Sequence, residues 1–212
     1  MAASRRKTLF LGAELKKQGL DFGLSFLKSG NAEDENELPW YVCEVEYPLT
    51  SDLIKKSGKE EALLNASRFE LIHVHVKVLR GPYEGGSFIL EVDLREVGDY
   101  PNDPPKCKYL TKIWHPNVHS ESGKICHSHL RGPSGPYPGT WNPMLRIQPL
   151  ITGILGHLNP EDPAFAPLDP LNTDAASQLL NNEKDFLKQA KDWVKKYAIE
   201  KSIIPENSAT YK

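Results

Sequence analysis

Apolar residues recur at every second position in three stretches of the chain. Tyr41, Cys43, Val45 and Tyr47 alternate with Val42, Glu44 and Glu46; Ile72, Val74, Val76 and Val78 alternate with His73, His75 and Lys77. Phe88, Leu90, Val92 and Leu94 alternate with polar partners. A period of two sends successive side chains to opposite faces, so each stretch predicts a half-buried antiparallel strand. Gly81-Pro82 and Gly85-Gly86 mark a short turn between the second and third strands. A fourth, shorter strand is predicted over Lys106 to Leu110, after Pro104-Pro105.

The period then lengthens. Ile147, Leu150, Ile151, Ile154, Leu155 and Leu158 follow the i, i+3, i+4, i+7 rule of a core-facing helix. Pro149 is tolerable near its first turn. Two further helices fit Asp174 to Asn182 and Glu183 to Ala198, with Phe186, Ala190, Trp193 and Tyr197 as the buried stripe of the last. Near the start, Leu11, Leu15, Leu20, Phe22, Leu24 and Leu27 form a helical stripe interrupted by Gly12, Gly19 and Gly23, which predicts a first helix. The layout is a helix, a four-stranded antiparallel meander, a long loop and C-terminal helices, an α+β domain. Residues 1–37 read as a basic extension with an acidic linker, 38–198 as the core domain and 199–212 as a tail. The connection over 48–68 is polar, with a helical turn or two expected between Glu60 and Ala66.

Charge and composition narrow the classes. Across 212 residues, 26 basic side chains against 28 acidic ones give a net charge of −2, which excludes a whole-chain basic face for nucleic acid. Residues 1–28 alone carry a net +4. An apolar share of 39% excludes wholesale disorder. No apolar run reaches the roughly 18 residues of a membrane span. The basic start at Arg5, Arg6 and Lys7 leads into a stretch broken by Glu14, unlike a signal peptide. Three scattered cysteines, Cys43, Cys107 and Cys126, make no disulfide framework. The expectation is a soluble monomer with free thiols in the cytoplasm, the nucleus or both, with neither membrane nor nucleic acid as partner.

Thirteen of the 17 prolines lie between Pro101 and Pro170. Within that region, residues 111–146 lack periodicity, and long irregular segments in compact domains are usually functional. The segment holds His115, His119, Cys126, His127 and His129. Residue types alone leave three readings open. His115, His119, Cys126 and His129 could form a zinc site, although a lone cysteine with no C-x-x-C pair or acidic ligand argues against it. They could be surface histidines and a buried cysteine, both common. Or Cys126, following the Gly123 turn in Gly-Lys-Ile-Cys, could be a nucleophile with a polar neighbour to hold an oxyanion.

The order of the motifs separates these readings. Tyr100-Pro101-Asn102-Asp103-Pro104-Pro105-Lys106 precedes His115-Pro116-Asn117, then Gly123-Lys124-Ile125-Cys126, Trp141-Asn142-Pro143, the amphipathic helix, and Asp169-Pro170-Leu171-Asn172 with Ala175-Ala176. In type and order this resembles the ubiquitin-conjugating enzyme family from about Leu38 to about Tyr197. The resemblance implies the ubiquitin-conjugating fold and a transferase working through a thioester. Cys126 matches the family nucleophile, and Asn117 matches the asparagine that braces the loop and stabilises the oxyanion. His115 supports that loop. Asp169 matches the acid that orients the incoming lysine, with Asp162 as the alternative. Ser128 stands where many ubiquitin carriers have Asp. A cysteine is a few per cent thiolate at neutral pH, which suffices for exchange with another thioester.

No cofactor or metal is implied, since ATP is used by the activating enzyme upstream. The block Pro104 to Asn117, Leu38-Pro39 and Cys126-x-Ser128-x-Leu130-Arg131 are similar to the neddylation branch, most like the cullin-5-serving kind. The partners so implied are a Nedd-type modifier, its activating enzyme, a RING-type ligase and a cullin; ubiquitin itself is the alternative cargo, and an inactive scaffold of the same fold a further one. Cys126 to Trp141 spans fifteen positions where ubiquitin carriers typically use eight. An insert at Gly132 to Thr140 therefore sits beside the nucleophile.

Overall fold

Each predicted strand forms, and the strands follow one another across a single antiparallel sheet. The computed structural model describes residues 27–28, 40–48, 69–134, 138–161, 165 and 170–199. Strands β1 (Leu27–Lys28), β2 (Tyr41–Glu46), β3 (Leu71–Val78), β4 (Ser87–Asp93) and β5 (Lys106–Tyr109) lie side by side in that order. The four predicted strands are β2 to β5. Leu27, placed by its spacing on a helical stripe, instead pairs with Cys43 as a two-residue edge strand. The rest of the predicted first helix, the expected turns between Glu60 and Ala66 and most of the tail lie outside the described residues.

Register carries the alternation across the sheet. Val45 opposes Val74, Val74 opposes Leu90, and Leu90 opposes Tyr109. These residues share one face, and all four are buried. Among the described residues, three helices pack on the same core: α1 (Ile147–Leu155), α2 (Thr173–Asn181) and α3 (Glu183–Tyr197). α1 buries Ile147, Leu150, Ile151, Ile154 and Leu155 and runs on into a 3-10 turn over Gly156–Leu158. Asn182 ends α2 and starts α3, its side chain accepting from Asp185 N–H. Glu183 and Asp185 in the first turn of α3, and Lys195 and Lys196 in the last, match the helix dipole.

The buried stripe of α3 differs from the sequence expectation. Phe186, Ala190 and Val194 are buried, a strict i, i+4, i+8 row. Trp193 and Tyr197 lie half-buried one step round the helix. There Trp193 packs on Trp114 at 5.1 Å between ring centroids, and on Tyr197 at 5.1 Å. An indole and a phenol keep a polar edge, so a partly wet groove suits them better than the dry row.

Phe186 is fully buried and packs edge-on against Phe165. Phe186→Ala should lower the unfolding free energy by about 3–5 kcal/mol, read from urea denaturation.

Candidate active site

The irregular segment after β5 folds into a small hairpin that brings Asn117 and Cys126 together. Val118 pairs with Ile125 in an antiparallel bridge, and His119 N–H donates to Lys124 O at 2.9 Å. One position further out, Cys126 N–H donates to Asn117 O at 2.8 Å. Two residues nine positions apart thus become cross-strand neighbours. Cys126 is half-buried and Asn117 is buried.

Glycine 123 seats this hairpin on the sheet. Its φ is +68°, a conformation that disfavours any side chain. A Cβ there would also sit inside the Tyr109 carbonyl. That closeness allows Tyr109 N–H to donate to Gly123 O at 2.9 Å, tying the hairpin to β5.

His115 lies beneath the hairpin and is fully buried. Its Nδ1 accepts from Asn117 N–H at 3.0 Å. Its ring stacks on His157 at 5.1 Å and meets Phe165 edge-on at 4.9 Å. Burial pushes its pKa down to about 3, with the His157 backbone pulling weakly the other way. His115 is therefore a neutral brace, out of reach of solvent. His157 is also held well below the ordinary imidazole range, first by burial and then by His115 and His127. Sequence reasoning passed over His157, because it sits in the 3-10 continuation of α1, where the helical pattern reads only its apolar neighbours.

The four candidate zinc ligands do not converge. Among the described residues, the potential ligand atoms of His115, His119, Cys126 and His129 form no cluster. His119 is exposed and caps the hairpin loop, its Nδ1 accepting from Ser122 N–H at 3.2 Å. His127 caps the 3-10 turn Ser128–Leu130 by accepting from His129 N–H at 3.1 Å. Of the other thiols, Cys43 is buried in the core, and Cys107 is pushed well above the ordinary thiol range by burial and then by Asp93 and Glu91.

The flanking motifs converge on the hairpin. Trp114 Nε1 donates to Gln178 of α2 at 2.9 Å. Trp141 Nε1 donates to Pro101 O at 3.1 Å, joining two motifs forty residues apart. Leu171 and Asn172 both donate their N–H to Pro116 O, at 2.9 and 3.0 Å. Asp169 and Asp162 lie outside the described residues, as does the tip of the insert at 135–137. The stem of that insert is laced: Gly139 N–H donates to Gly132 O, Thr140 N–H to Ser128 O and Trp141 N–H to Arg131 O. Ser128 also accepts from the Thr140 hydroxyl at 3.1 Å.

The ubiquitin-conjugating enzyme family model matches residues 45–194, and the chain belongs to that family. It is 38% identical over 124 residues to ubiquitin-conjugating enzyme E2 T of Danio rerio, an alignment covering 57% of each chain. It is 37% identical over 117 residues to ubiquitin conjugating enzyme E2 B of Dictyostelium discoideum, covering 55% of this chain and 70% of that one. The chain thus spans somewhat more than half the length of the zebrafish relative. In three dimensions it is similar to a Plasmodium yoelii crystal structure described as a ubiquitin conjugating enzyme, with a TM-score of 0.57, 28% identity and 91% and 95% of the two chains covered.

Two predictions follow from the buried brace and the glycine. His115 has a pKa of about 3 in the fold against an ordinary value of 6.5. Between those values the unfolded chain binds a proton that the folded chain refuses, so stability is full above pH 6.5 and falls as pH drops toward 3. His157 adds to the loss with the same sign. Urea denaturation across that range should show a decline on the order of several kcal/mol, shallower in His115→Asn. Gly123→Ala should destabilise the chain by roughly 1–3 kcal/mol and speed modification of half-buried Cys126 by a bulky thiol reagent, as the hairpin lifts from β5.

Proposed function

We propose that this chain carries ubiquitin or a ubiquitin-like modifier as a thioester on Cys126 and passes it to a lysine. The observation that carries this reading is the hairpin pairing of half-exposed Cys126 with Asn117 over a neutral, buried His115. In the first step the Cys126 sulfur attacks the thioester carbonyl held by an activating enzyme. The activating enzyme's thiolate leaves, and the modifier is now bonded to Cys126. In the second step a lysine amine attacks that carbonyl, the Cys126 thiolate departs, and an isopeptide bond forms. Each step passes through a tetrahedral oxyanion, and the Asn117 amide is the donor assigned to it. His115 acts through Asn117 by fixing its backbone. Asp169 is assigned the orientation of the lysine, with its neighbours Leu171 and Asn172 tethered to the same loop at Pro116.

Ubiquitin is the cargo favoured by the relatives named above, each of which bears the name of a ubiquitin-conjugating enzyme. A Nedd-type cargo destined for cullins is the second reading. It rests on the block Pro104 to Asn117 and on Cys126-x-Ser128-x-Leu130-Arg131. Charging with each activating enzyme and its own modifier, followed on non-reducing gels, distinguishes them. A reducible adduct is expected, absent in Cys126→Ala and converted to a reduction-resistant oxyester in Cys126→Ser. No adduct with any modifier would overturn the carrier assignment, and an adduct with one modifier alone names the cargo. Asn117→Ala should still charge, yet discharge to free lysine about 10²–10³-fold more slowly.

A further inference from the structure

The sheet face turned away from the core carries a second cluster of reactive side chains. Glu44 and Glu46 on β2 point to the same face as His73 and His75 on β3, because Glu44 opposes His75 and Glu46 opposes His73. The next strand brings Glu91 opposite His73. His75 Nε2 lies 2.7 Å from Glu46 Oε2. One ligand atom each from Glu46, His73 and His75 lies within 4.8 Å of the others. A divalent ion at the centre of such a triangle meets two imidazoles and a carboxylate, a donor set that zinc accepts with water in the fourth position.

The surroundings favour a cation. Glu44 is about nine-tenths buried, and its Oε2 has no hydrogen-bond partner. Glu44 stands directly opposite His75 in the strand register, on the same face as Glu46. Buried polar atoms without partners are rare and call for an explanation such as an ion. Glu91 holds the far side: its Oε2 is 3.2 Å from His73 Nε2, and its Oε1 is 3.2 Å from Lys108 Nζ. With Nε2 engaged by Glu91, His73 would ligate through Nδ1, and a carboxylate on the opposite ring nitrogen fixes a metal-binding histidine. His75 is buried while the Glu46 side chain is 45% exposed, which leaves an approach from solvent.

We infer that Glu46, His73 and His75 form a divalent-metal site on the outer face of the sheet, suited to Zn²⁺, with Glu91 orienting His73 and Glu44 supplying a compensating charge. Such an ion would clamp β2 to β3. Copper(II) and nickel(II) fit the same donors, and magnesium and calcium do not. The site is separate from Cys126 and does not depend on the modifier assignment.

Zinc titration of the full, reduced chain against a chromophoric chelator near neutral pH tests this directly. One Zn²⁺ per chain is expected, with thermal stability rising on addition. Stoichiometric binding should be lost in His73→Gln, His75→Gln and Glu46→Gln, weakened roughly 10- to 100-fold in Glu91→Gln, and retained in Cys126→Ser. Glu46→Gln nearly preserves shape, so circular dichroism of that variant separates lost ligation from lost fold. Cobalt(II) should give visible d–d bands without sulfur-to-metal charge transfer. No saturable zinc binding by the wild-type chain, binding that disappears in Cys126→Ser, or a thiolate band with cobalt would each overturn the site.

Discussion

A backbone hydrogen bond from Cys126 N–H to Asn117 O sets the geometry on which the rest of the site depends. The eight intervening residues are closed into a hairpin, so a long irregular segment acquires a register as definite as that of a strand pair. A second bond continues inward, from Asn117 N–H to the Nδ1 of buried His115. The two bonds form a relay of position from the core to the surface thiol. It works because His115 stays neutral: a protonated imidazole would lose the Nδ1 lone pair that holds Asn117. Burial, which costs the charged form heavily, thereby preserves the brace.

The remainder of the fold can be understood as the means of holding that hairpin. Gly123 allows the hairpin to lie against the β5 backbone closer than any residue with a Cβ could. Trp114 is gripped by α2 and α3 through Gln178 and Trp193, and Trp114 directly precedes the His115-Pro116-Asn117 turn. Pro116 O receives two N–H groups from the segment leading into α2. Proline density in this region follows from the same requirement. Prolines limit the alternatives open to loops that must be ordered without a ladder of their own. The insert that follows Cys126 obeys it too, since its stem is closed by bonds between 128–132 and 139–141.

The sheet divides its chemistry between two faces. One face joins α1, α2 and α3 in a continuous apolar core. The other gathers carboxylates and imidazoles at cross-strand spacing, where two strands place a glutamate directly opposite a histidine in two successive outward-facing pairs. A polar face on a half-buried sheet is ordinary. Burial of Glu44 and His75 within it is not, and a cation is the simplest way to balance that much desolvated carboxylate.

Much of this was legible in the chain as written. Strict alternation in β2, β3 and β4, and the i, i+3, i+4 row of α1, reflect local geometry that a sequence states openly. The ordered motifs also singled out Cys126 and Asn117 as candidates, and the fold pairs them. Alternation alone did not reveal that Glu46, His73 and His75 would meet, since that depends on the register between strands rather than on either strand. Nor could it place His157 under His115, or exchange Trp193 for Val194 on the dry row of α3. Periodicity says which residues share a face of their own element. Tertiary packing decides what that face meets, because burial, strand register and close backbone approach are relations between segments far apart in the chain.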